Sequence, residues 1–156
     1  MSELYEVILE DVPSLNLFAV LNRLTKNGSI VSKCEIQGDV EYTPKIDWQN
    51  PDSLNEIINN KLPAGFVLFA SLNLLNIDGM HLQNCGLRVI YYRKKFDIEV
   101  SFDPECSENL AAAKLSSYFY ALCKEFDIAS TFGGMEPASD KATRFFTEDQ
   151  LGPIEL

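Results

Sequence analysis

The single histidine of this 156-residue chain, His81, stands four residues before Cys85 in GMHLQNC. On a helix that spacing would bring imidazole and thiol together as base and nucleophile. Gly79 and Gly86 flank the segment between two strand-like runs, so it reads as a loop, and no third group is at hand to orient the base. His81 and Cys85 also lack the second ligand pair that a zinc site needs. Carboxylate pairs are frequent, among them Glu3 with Glu6, Asp97 with Glu99, and Glu148 with Asp149. Acid–base work requires one carboxyl to be desolvated so that the two pKa values separate, and nothing in the sequence does this. Asp97 and Glu99 alternate with apolar residues and read as a solvated strand face. Asp103, Glu105 and Glu108 suit the start of a long helix, where carboxylates complement the dipole. Gly133-Gly134 lacks the GxxxxGK[ST] frame of a phosphate loop. The sequence therefore points to no catalytic residue, no metal and no cofactor.

The elements that would position any site are readable in outline. Leu4–Leu9 alternates as a strand, and Ser14 is placed to cap a helix carrying Leu17, Leu21 and Leu24, with Gly28 to end it. Ser29–Ile36 reads as a half-buried strand, Gln37-Gly38-Asp39 as a turn and Val40–Tyr42 as a short edge strand before Pro44. A second helix runs from an Asn50 cap through Pro51 to Leu62. Phe66–Ile77 is apolar enough for a central strand. Leu87–Tyr92 and Phe96–Phe102 form a hairpin joined through Arg93-Lys94-Lys95. Ala111, Leu115, Tyr118, Leu122 and Phe126 mark a helix from about Ser107 to Phe126, with Phe119 and Cys123 beside the stripe. The predicted fold is α+β, a largely antiparallel sheet with helices packed on one face, in the order β-α-β-β-α-β-β-β-α. The parse is one domain over 1–156, with a core over 1–128 and an irregular C-terminal tail over 129–156 wrapping back onto it.

Charge narrows the partners. Thirteen Lys and Arg stand against 23 Asp and Glu, a formal net charge of −10. Nucleic acid and anionic membrane both require a cationic footprint, so neither is expected as a partner. The one basic cluster, Arg88 with Arg93, Lys94 and Lys95, reads as a solvated hairpin tip. The N-terminus MSELYEVILEDV has neither the basic start nor the apolar run of a secretory signal, and Ala64–Leu75 is too short to span a bilayer. Cys34, Cys85, Cys106 and Cys123 are scattered without a CxxC and read as reduced thiols. A cytoplasmic protein is expected.

The tail is the segment most suited to a protein partner. Glu136, Asp140, Glu148 and Asp149 can meet a basic surface, with Phe145 or Phe146 as an apolar anchor. The alternative role for the two rings is to fasten the tail to the core. Size, acidity, the α+β order without a catalytic frame and the segment GGMEPASDKATRFFT together resemble the small acidic immunity proteins that bacteria encode beside polymorphic or contact-dependent growth-inhibition toxins. That resemblance implies a cytosolic, non-catalytic protein that binds a cognate, basic toxin stoichiometrically. The other readings of the sequence are a small enzyme with a pocket between sheet and tail, and an adaptor that oligomerises through its open sheet face.

Overall fold

The computed structural model describes residues 3–26, 33–37 and 65–156. They form β1 (Tyr5–Val12), β2 (Lys33–Gln37), β3 (Gly65–Ile77), β4 (Met80–Tyr92), β5 (Lys95–Glu108), β6 (Ser130–Met135), β7 (Arg144–Thr147) and β8 (Gln150–Leu151), with helices α1 (Leu17–Thr25) and α2 (Ala112–Phe126). The strands make one sheet in the order β2-β3-β4-β5-β1-β6-β7-β8, and every pairing is antiparallel. The α+β class expected from the sequence is thus the observed one. The turn, edge strand and second helix predicted between residues 37 and 62, and the Gly28 stop, lie outside the described residues apart from Gln37 itself.

Side-chain alternation divides the sheet into two faces. Val7 and Leu9 of β1, Leu87 and Val89 of β4, and Phe96, Ile98, Val100 and Phe102 of β5 share one face, where they pack with Leu17, Val20, Leu21 and Leu24 of α1 and Leu115, Phe119 and Leu122 of α2. The helices are joined directly. Arg23 makes a two-pronged ion pair with Glu125 at 2.7 and 2.8 Å, and the Asn16 side chain donates to the Phe126 carbonyl at 2.8 Å.

Both hairpins of the β3–β4–β5 meander close with two-residue turns whose central residues have positive φ, the twist that matches the strands. Asp78 and Gly79 (φ 47° and 80°) form one, and Arg93 and Lys94 (φ 51° and 65°) the other. Lys95, expected in the second connection, pairs instead with Tyr92.

Several expectations change. Ser14 does not cap α1; it opens a 3-10 turn over Ser14–Asn16, and Asn16 takes the capping position with its side chain directed to α2. Residues 103–108 extend β5 rather than starting the last helix, because Asp103 and Glu108 pair across to Gln83 and His81 through bulges. Ser107 is fixed there, donating to the Asp103 carbonyl at 2.6 Å and accepting from the Gln83 amide at 3.0 Å. The His81 segment is strand, not loop. Strand β3 lies next to the edge strand β2, while β1 takes the central place between β5 and β6. The segment expected as an irregular tail supplies β6, β7 and β8.

Candidate functional site

The C-terminal segment is held from inside. Phe145 and Phe146 are both 0 % exposed, with their rings 5.5 Å apart and Phe145 packed 5.6 Å from Tyr5. They are both in the core because a bulge in the β6–β7 pairing sets them opposite Gly133. A methyl group at Gly133 would stand 2.5 Å from Phe146 and 2.6 Å from Phe145, so only glycine lets both rings lie there. Neither ring offers a partner any surface in this structure, which corrects their expected use as anchors.

The four carboxylates of the same segment are not brought together. Glu136 and Asp140 are exposed in the β6–β7 connection, where Asp140 accepts from the Ala142 amide at 3.0 Å. Glu148 and Asp149 lie past the other end of β7. There they line a groove of about 400 Å³ with Asp127, Lys124 and Tyr120 at the C-terminal end of α2. Glu148 is locked by its backbone, its amide donating to Thr131 at 2.9 Å and its carbonyl accepting from Ser116 at 2.7 Å.

The imagined Cys–His dyad is absent in substance. Cys85 is buried, donates to the Leu82 carbonyl at 3.3 Å, and has its thiol pushed up to about 12 by burial. Activation would require the opposite shift. His81 bonds the Asn76 side chain instead. Among the described residues no group of three or more His, Cys, Asp or Glu could hold a metal ion, and no helix is long and apolar enough to cross a membrane.

What sequence reasoning missed is a cluster on the sheet face away from the helices. Register places Phe69, Arg88, Glu99, Ile8, Phe132 and Thr147 in one line across six strands. Arg88 spans this line, 3.5 Å from Glu99 and over the Phe69 ring at 5.7 Å, while Arg144 stacks on Phe132 at 3.9 Å. Four carboxylates of the adjacent strands β1 and β5 share the face: Glu6, Glu10, Asp97 and Glu99. Glu6 is only 6 % exposed, because residues 136–138 fold over it and the Ala138 amide donates to it at 2.7 Å. Burial, followed by the nearby charges of Glu99 and Glu136, holds the Glu6 carboxyl above its ordinary range against the lowering effect of that hydrogen bond. Asp97 is raised in the same way, by burial and then by Glu10 and Asp11, although the Asp11 amide donates to it at 2.9 Å. The alternation of β1 and β5 carries these residues, but only their pairing reveals that Glu6 neighbours Glu99 and that Glu10 neighbours Asp97.

The sign of the stability effect follows. A carboxyl whose folded-state pKa exceeds its unfolded value binds more protons when folded, so its contribution is fully present below the unfolded value and is lost as pH rises through the raised one. Glu6→Gln keeps an acceptor for Ala138 and removes the charge. Its melting temperature is expected above wild type at pH 7.5, with the difference shrinking toward pH 4.5. Equal melting temperatures at both pH values would show that the Glu6 charge costs the fold nothing.

This arrangement defines a class: an α+β domain whose polar sheet face and acidic surface suit it to binding a protein. A family model described as PABL017 Cdi1I immunity protein matches residues 3–151, and the chain belongs to that immunity-protein family. The chain is also similar to one in the crystal structure of the toxic C-terminal tip of CdiA from Pseudomonas aeruginosa in complex with immune protein. The TM-score is 0.83, with 25 % identity over 99 % of each chain. No curated protein matches it.

Proposed function

We propose that this immunity protein neutralises a CdiA-type toxin tip by stoichiometric binding in the cytoplasm, without catalysis and without a cofactor. Membership of the immunity-protein family over residues 3–151 carries this reading. The similar solved structure is itself a complex between a CdiA toxic tip and an immune protein. At a net charge of −10 the favoured toxin surface is basic, with Glu136, Asp140, Glu148 and Asp149 contributing to its attraction. Phe145 and Phe146 act from the core by fixing the strand that separates the two carboxylate pairs. Titrating a cognate CdiA toxin tip with the purified protein tests the reading. Toxicity should fall in proportion to added protein and vanish at one equivalent. Full protection by a small fraction of an equivalent would mean catalytic turnover, and no protection at excess would mean that this tip is not the partner.

A further inference from the structure

We propose that the toxin docks on the sheet face turned away from the helices, and that this face receives a basic segment of the toxin. The inference rests on the toxin-binding function proposed above and assigns its surface. The opposite face carries core side chains such as Leu68, Leu87, Ile98 and Val100, whereas Val67, Phe69, Arg88, Ile90, Asp97, Glu99 and Ser101 on this one are half-exposed. They belong to three long neighbouring strands, and backbone pairing rather than loop conformation holds them in place. That gives a rigid surface needing little ordering when a partner arrives.

Charge selects the occupant. Among the described residues Glu6, Glu10, Asp97 and Glu99 outnumber Arg88, Arg144 and Lys95 on this face, and all three cations are already engaged, Lys95 with Asp11 at 3.3 Å. Arg88 lies between Glu99 and Phe69, and Arg144 on Phe132 also donates to the Ala138 carbonyl at 2.8 Å. Glu6 and Asp97 are partly withdrawn from water beside other carboxylates, with Arg88 and Lys95 offsetting part of the repulsion, and an approaching cation relieves the remainder. A lysine- or arginine-bearing segment gains this relief; a neutral partner does not, and a second copy of this chain would add like charge. Phe69 and Ile90 supply apolar area beside the charges, as expected where interfaces combine a few apolar contacts with charge complementarity.

The test uses the full chain and its cognate CdiA toxin tip. Carbodiimide labelling of carboxylates, read by mass spectrometry in the free and mixed states, should show Glu10, Asp97 and Glu99 protected in the complex. Glu125, exposed on the helical side and paired with Arg23, should be labelled equally in both. Glu10→Gln and Glu99→Gln keep an acceptor for Ser130 and Arg88. Each should weaken binding by about tenfold or more at a temperature where its melting curve shows it folded, while Glu105→Gln at the far end of β5 should change it far less. If the tip binds with Glu10, Asp97 and Glu99 still labelled, or with protection confined to Glu148 and Asp149, the assignment of this face is wrong and the toxin-binding function stands. If the tip does not bind at all, both fail together. A concentration-dependent dimer whose formation protects the same three carboxylates would replace the toxin with a second copy as occupant.

Discussion

Phe146→Ala is expected to lower the stability of the folded chain by about 3–5 kcal/mol, the range for deleting a buried aromatic side chain. The ring is 0 % exposed and packs on Phe145 and against Gly133, so truncation leaves a cavity walled by backbone and a second ring. The neighbourhood has little freedom to collapse into it. Strand β7 is tied on one side to β6 and, just past its end, to α2 through the Ser116–Glu148 bond. Denaturant unfolding should show a lower midpoint with a similar slope. If Phe146 instead served as a surface anchor, the substitution would leave the midpoint nearly unchanged and affect binding alone. A loss below about 1 kcal/mol would therefore return the ring to the candidate contact residues.

The role of Phe146 also marks where the sequence stops being legible. The β4–β5 hairpin was readable because its signals are local: alternation in Phe96–Phe102 and a polar turn. Strand β6 had no such signal, since STFGGM carries two glycines that lower strand propensity. It becomes a strand because β1 pairs with it across most of the chain, from Tyr5 with Met135 to Glu10 with Ser130. The glycine that weakens the local signal is the one the packing needs, because Gly133 makes room for Phe145 and Phe146. The candidate surface divides along the same line. Asp97 and Glu99 were legible as a polar face from alternation alone. Glu6 was not, because its burial comes from the distant segment 136–138 folding over β1. The acidic excess of that face is a property of strand order, and two strands far apart in sequence do not announce that they are neighbours.

Electrostatic steering gives the second large effect, and it separates attraction at a distance from contact. With a net charge of −10 and a basic toxin, association at low salt should approach about 10⁸–10⁹ M⁻¹s⁻¹ and fall toward about 10⁵–10⁶ M⁻¹s⁻¹ once the charges are screened. The screening length shrinks from roughly 30 Å at 0.01 M salt to roughly 3 Å at 1 M, so carboxylates beyond the contact lose their influence first. Glu136, Asp140 and Asp149 are exposed and belong to that long-range set. Their neutralisation should slow association at low salt and leave dissociation nearly unchanged. Glu99 is different: with its side chain 22 % exposed beside Arg88 in the centre of the sheet, it sits where a bound partner would exclude water. Glu99→Gln should therefore speed dissociation at every salt concentration. Stopped-flow mixing across a salt series reads both rates. An association rate that stays flat from low to high salt would remove steering from the mechanism. A Glu99 variant that alters association alone would move this residue out of the contact and into the surrounding field.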